Sequence, residues 1–119
     1  MPRNQKRILS VCPISKALDV VGDRWSLLII RDMFAGKTQY GDFLDSPEGI
    51  STNILADRLR ILAENGIIEK TRTNSGKQTT RYAMTPKGEE LYAVIDAISE
   101  WSLSNIEGTR KVVDVPGPQ

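Results

Sequence analysis

The chain has 119 residues, 39% hydrophobic and 26% charged, with 16 Lys and Arg against 15 Asp and Glu, one Cys and no His. That length fits one domain around one core, and the composition fits neither a membrane-spanning helix nor a disordered chain. Without His, the serine and cysteine hydrolase triads, two-His zinc sites and His general bases are excluded, and one Cys leaves no internal disulfide or single-chain thiolate metal site.

The first residues carry Arg3, Lys6 and Arg7 with no acid. Ile8 to Cys12 faintly resembles a lipoprotein cleavage site, but its apolar stretch is far too short for a signal segment, so a cytoplasmic protein is expected. Residues 1–11 are expected to form a flexible basic arm. Ile14, Ala17, Leu18 and Val21 then fall on one helical face, opened by Pro13 and closed by Gly22, which predicts a helix from Pro13 to Val21 with a left-handed glycine cap. Asp23 can cap a second helix, Arg24 to Phe34, that is apolar around nearly its whole circumference and belongs in the core. Gly36 ends it, and Tyr40 to Leu44 reads as a short amphipathic turn or helix before the breaker Pro47-Glu48-Gly49.

Ser51 is a good N-cap for a helix running to Asn65, with Gly66 after it. Ile54, Leu55, Arg58, Leu59, Ile61 and Leu62 cluster on one side at helical spacing, and Asn53, Ala56, Asp57, Arg60 and Glu64 on the other. Ile67 to Asn74 and Gln78 to Met84, rich in Ile, Thr and Tyr and separated by Asn74-Ser75-Gly76, predict a β-hairpin. Within it the stretch Lys70 to Arg81 carries Lys70, Arg72, Lys77 and Arg81 with no acid; setting aside these and the three N-terminal bases leaves 9 basic against 15 acidic residues, a body of net −6 with two basic segments attached. Thr85-Pro86 starts a last helix in which Leu91, Val94, Ile95, Ile98 and Trp101 keep helical spacing to about Ser104. Residues 105–119 have no period and are expected to form a loose tail.

A short helix, a turn and a longer helix with a polar outer face describe a helix-turn-helix, and the basic hairpin behind it describes a wing. The expected fold is mainly α with a small β-hairpin wing, a winged helix-turn-helix over residues 12–104. A major groove about 12 Å wide admits one helix, and a ribbon beside it can carry cations to flanking phosphates. The apolar stripes of the first and last helices exceed what one small winged domain covers, so an interface between two copies is expected there.

The blocks Cys12-Pro13-Ile14 through Ala17-Leu18-Asp19-Val20-Val21-Gly22, Arg24-Trp25, Leu27-Leu28-Ile29, Tyr40-Gly41-Asp42-Phe43 and Gly49-Ile50-Ser51 resemble HxlR-type winged helix-turn-helix regulators. So do Leu55-Ala56-Asp57-Arg58-Leu59-Arg60-Ile61-Leu62, Asn65-Gly66-Ile67-Ile68-Glu69 and Arg81-Tyr82-Ala83-Met84-Thr85-Pro86-Lys87-Gly88. Together they cover roughly Cys12 to Trp101 in the family's order. Ala56 departs from the small polar residue often found there, and Asp23 from Gly or Lys. The resemblance implies a transcriptional regulator, distantly MarR-like, that binds a pseudo-palindromic double-stranded DNA operator as a homodimer.

On that reading Thr52, Asn53, Ala56, Asp57 and Arg60 are the expected base contacts. Lys37, Gln39, Tyr40, Ser51, Arg58, Arg72, Lys77 and Arg81 are the expected phosphate contacts, with Asn74, Ser75 and Gly76 at the wing tip. Arg58 is open between a phosphate and a structural salt bridge, and Tyr40 between a phosphate and the core. Ile14, Leu18, Leu91, Val94, Ile95, Ile98 and Trp101 are expected in the dimer interface. Cys12, at the start of the first helix, matches a position some members use to sense oxidants or electrophiles; the alternative is a small apolar residue filling the interface. No catalytic residue, metal or cofactor is expected, and no small-molecule effector can be named. The rival reading is a winged-helix module that binds protein, which would display exposed apolar anchors on the outer face of the reading helix.

Overall fold

The computed structural model describes residues 10–73 and 79–116. Most of the expected N-terminal arm, the wing tip Asn74, Ser75 and Gly76, and Lys77 lie outside the described residues.

The elements run α1 (Pro13–Val21), α2 (Ser26–Phe34), α3 (Tyr40–Leu44), α4 (Thr52–Glu64), β1 (Ile68–Thr73), β2 (Thr79–Met84), α5 (Pro86–Glu89) and α6 (Tyr92–Asn105). Pro13 opens α1 and Gly22 closes it, its N–H donating to the Leu18 carbonyl at 2.9 Å. The expected left-handed cap is absent, since Gly22 has φ −83°. Glycine is needed for space instead: a Cβ there would stand 2.3 Å from the Leu18 oxygen. The second helix starts at Ser26 rather than Arg24, because the Asp23 carboxylate accepts the N–H groups of Trp25 at 2.8 Å and Ser26 at 2.9 Å and holds the chain in a turn first.

Ile29, Ile30, Met33 and Phe34 of α2, Phe43 of α3, Leu55, Leu59 and Leu62 of α4, and Ile67, Ile68 and Tyr82 around the hairpin form one buried cluster. The Phe43 and Tyr82 rings meet edge to face with centroids 6.3 Å apart. Ile68 pairs with Met84, Lys70 with Tyr82 and Arg72 with Thr80 in the antiparallel hairpin. The wing is also tied inward: Tyr82 N–H donates to the Thr38 carbonyl just ahead of α3, at 2.8 Å.

The single last helix expected from the apolar spacing is two helices. Thr85 Oγ1 accepts the Gly88 N–H at 3.1 Å and donates to the Ile67 carbonyl at 3.0 Å, which seats α5 against the base of the hairpin. Gly88 is buried there, and a Cβ on it would lie 2.1 Å from the Ile67 oxygen. This fixed approach sets the direction of α5, and the chain turns at Glu90 and Leu91 before α6 runs off toward α2, where Tyr92 meets Phe34 edge to face at 5.5 Å. Leu91, Tyr92 and Ile95 pack against the core, yet no residue of α6 itself is fully buried. The segment beyond α6 folds back: Val115 packs against the core and its carbonyl accepts the Tyr92 hydroxyl at 3.3 Å. Among the described residues no helix is long and apolar enough to cross a membrane.

Candidate nucleic-acid interface

The buried side chains Leu55, Leu59 and Leu62 anchor the inner face of α4, which leaves the opposite face for solvent. Ser51, Thr52, Asn53, Ala56 and Arg60 are all exposed and Asp57 is partly so, which brings the five expected base-reading positions onto one surface. Ser51 Oγ accepts the Ile54 N–H at 3.3 Å, the N-cap bond expected of it. Ile54, assigned to the apolar side from spacing, is instead exposed and lines a shallow cleft with Trp25, Asn53 and Arg58. It sits at the edge of the packed stripe, and the Asp23 turn does not cover it.

The expected phosphate positions ahead of α4 are partly engaged within the chain. Tyr40 donates its hydroxyl to the Thr52 carbonyl at 2.7 Å, clamping α3 to the first turn of α4, while its ring packs against the core. Gln39 gives its N–H to Asp42 at 3.1 Å and begins α3. Lys37 is half-buried, with Nζ 3.8 Å from Asp32. Arg58 forms a salt bridge to Asp23 at 3.4 Å and to Asp57 at 2.9 Å, joining α4 to the turn before α2. Arg60 bonds Asp57 at 2.8 Å and Glu64 at 3.0 Å. The Arg60 hydrogen bond, then Arg58's charge, hold the Asp57 carboxyl below its usual range against the opposing effect of desolvation.

In the wing, residues opposite one another share a face, so Lys70 and Arg72 lie on the Tyr82 side and Arg81 on the other. Arg81 donates to Thr38 Oγ1 at 3.2 Å. Lys70, counted among the hairpin bases but not among the expected phosphate contacts, lines a cleft together with Ala56, Arg60 and Glu64 of α4. The hairpin register is the signal that could have found it. The wing cations thus flank both sides of the ribbon rather than one.

A polar network behind the interface was not legible. Arg31 reaches from α2 to Glu48 at 2.8 and 2.9 Å, to Asp32 at 2.9 Å and to Ser46 at 3.1 Å. Asp32 and Ser46 are buried. The Arg31 hydrogen bonds foremost, with help from Ser46, pull the Glu48 carboxyl down to about 2. The only sequence signal was the charged pair Arg31-Asp32 inside an otherwise apolar helix.

Of the seven residues expected in an interface between copies, Leu91 and Ile95 face the chain's own core, while Ile14, Leu18, Val94, Ile98 and Trp101 are exposed, Ile14 at 71% and Trp101 at 61%. Cys12 is exposed at the N-cap position of α1, and its N–H donates to Ser10 Oγ at 3.2 Å.

The overall fold is shared with known proteins. The HTH-type transcriptional regulator sll1512 of Synechocystis sp. is 34% identical over 95 residues, which span 76% of this chain and 70% of that protein. The solved structure of PA1607, described as a candidate transcription factor, superposes with a TM-score of 0.80 at 36% identity, over 96% of this chain and 82% of that one. The redox regulator HypR in its reduced form superposes with a TM-score of 0.74 at 26% identity, over 81% of this chain and 95% of that one. The family model described as HxlR-like helix-turn-helix matches residues 20–110. The chain therefore belongs to the HxlR-like helix-turn-helix family and is a DNA-binding transcriptional regulator with a winged-helix fold.

Proposed function

We propose that this regulator binds a pseudo-palindromic operator as a homodimer in the cytoplasm, each copy laying the start of α4 in a major groove and its wing along the flanking phosphates. The observation that carries the reading is the outer face of α4, where Ser51, Thr52, Asn53, Ala56 and Arg60 stand exposed and Ile54, 36% exposed at the edge of that face, is the one large apolar side chain beside them. Such a face suits base edges and phosphate oxygens better than a protein groove. Thr52, Asn53, Ala56, Asp57 and Arg60 read bases; Ser51, Gln39, Arg72, Lys77 and Arg81 meet phosphates, and Lys70 joins them from the inner side of the wing. Lys37, Tyr40 and Arg58, already bonded within the chain, reach phosphates only by sharing their partners. The exposed apolar residues Ile14 and Leu18 of α1 and Val94, Ile98 and Trp101 of α6 supply the surface that a second copy covers, and the operator such a dimer reads has half-sites about one DNA turn apart.

Fluorescence anisotropy against DNA from upstream of the protein's own gene, beside a scrambled duplex and at two salt concentrations, tests this. A preference of roughly a thousandfold or more, with affinity falling steeply in salt, is expected. Absence of binding even at low salt would shift the reading to a protein-interaction module.

A second reading concerns Cys12, which stands exposed at the N-cap of α1, two residues ahead of the exposed Ile14. A thiol so placed is open to alkylation, to a mixed disulfide, or to a bond with Cys12 of a second copy, and any of these would disturb the face that α1 offers. Intact-mass measurement after mild diamide or quinone treatment, run beside the DNA assay, decides it: an unmodified thiol with DNA binding unchanged would sink this role.

A further inference from the structure

The helix that reads DNA is not itself basic: α4 contains Arg58 and Arg60 against Asp57 and Glu64. With Asp23, which pairs with Arg58, this connected patch holds two guanidiniums and three carboxylates, one net negative charge where a polyanion must approach. Arg60 lies at its centre. Nη2 donates to Asp57 Oδ1 at 2.8 Å, one turn earlier, and Nη1 donates to Glu64 Oε2 at 3.0 Å, one turn later. Both spacings are those at which helix side chains meet. The side chains of Asp57, Arg60 and Glu64 are 43%, 57% and 61% exposed, so the two bonds are weak and open to exchange with an incoming group.

What can make that exchange depends on charge. A phosphate offers Arg60 an anion no better than the carboxylates it displaces, and then has to sit against both of them. A guanine edge offers neutral O6 and N7 acceptors in the fork geometry of a guanidinium and meets no such repulsion. The carboxylates therefore tax phosphate contacts more heavily than base contacts. We propose that Asp57 and Glu64 are specificity-determining positioning residues, which withhold Arg60 from phosphates and release it to a base edge, so that they weaken binding to random DNA more than binding to the operator. The inference rests on α4 being the groove-reading helix.

The test uses the intact protein with E64Q and R60Q, singly and together, on a random-sequence duplex and on upstream DNA over a range of salt. E64Q is the primary variant because Glu64 is exposed at the last turn of α4 and forms its salt bridge with Arg60. D57N serves as a second variant, since it also frees Arg58. Circular dichroism checks that each variant is folded. E64Q is expected to tighten binding to the random duplex by about three- to tenfold at low salt, to steepen the salt slope by about one unit, and to lower the ratio of upstream to random affinity. In the R60Q background the same change is expected to do little, under about twofold, because the charge then has no guanidinium to withhold. An equal gain with and without Arg60 would reduce the effect to bulk charge and overturn the proposal, as would no gain at all. Wild-type protein that binds neither duplex would overturn the reading of α4 itself, an outcome distinct from normal binding with no coupling between Arg60 and Glu64.

Discussion

Arg31 grips Glu48 with parallel hydrogen bonds, Nη1 to Oε2 at 2.9 Å and Nη2 to Oε1 at 2.8 Å, and Glu48 lies just ahead of Ser51, the N-cap of α4. The same guanidinium bonds buried Asp32 in α2. The fork geometry, which a lysine cannot reproduce, therefore joins the central core helix to the turn that aims α4. Replacing Arg31 with Leu strands a buried carboxylate and is expected to cost about 3 kcal/mol of stability. Urea denaturation would measure it, with Arg31→Lys losing less.

The same pair sets an acid dependence. Glu48 titrates near 2 in the folded protein against 4.5 ordinarily, so its folded-state pKa is depressed. Its contribution to stability is complete above pH 4.5 and disappears as pH falls through about 2. Denaturation midpoints should fall across that window, and Glu48→Gln, less stable at neutral pH, should show a shallower fall. Parallel curves for the two proteins would locate the acid sensitivity elsewhere.

Gly88 is the position where the smallest change should do the most harm. A methyl group there meets the Ile67 carbonyl at 2.1 Å and the Met84 side chain at 2.8 Å, and backbone cannot yield as a side chain can. Gly88→Ala is expected to destabilise the fold by about 3 kcal/mol. Gly66→Ala offers a contrast: its strain comes from φ +73°, with only the flexible Lys87 side chain nearby, and about 1 kcal/mol is expected.

The proposed dimer face yields a fourth expectation. Trp101 and Ile98 are exposed within one chain, so Trp101→Glu with Ile98→Glu should leave a folded monomer rather than an unfolded chain. Sedimentation should show the loss of the dimer, and operator affinity should drop at least tenfold, since one half-site then binds alone. A dimer that survives both changes would place the interface on another surface.

Much of this was legible because local chemistry decided it. Pro13 with Gly22, Ser51 at its N-cap and the Asn74-Ser75-Gly76 breaker marked element ends that few distant contacts overrule. The break between α5 and α6 was hidden because Leu91, Val94, Ile95, Ile98 and Trp101 continue a helical phase, and what interrupts it is the contact of Gly88 with the distant Ile67. Arg58 showed as a charge on an apolar face, but its partner Asp23 lies in another element, so the choice between salt bridge and phosphate waited on geometry. The Arg31 to Glu48 link failed to show for the same reason. Sequence periodicity reports which face a residue occupies, not which remote group meets it there.

The backbone hydrogen bond from Tyr82 N–H to the Thr38 carbonyl and the Tyr40 to Thr52 clamp act on the strand and helix that flank α3. Ribbon and α4 are thereby stitched to α3 and the residues just ahead of it, and the distance between them is built into the fold rather than adjusted at each encounter. A frame of that kind measures the duplex it meets. DNA whose groove width or local bend sets its phosphates off that spacing is expected to bind less tightly even at steps where no side chain touches a base, which would lodge part of the selectivity in the mechanics of the target.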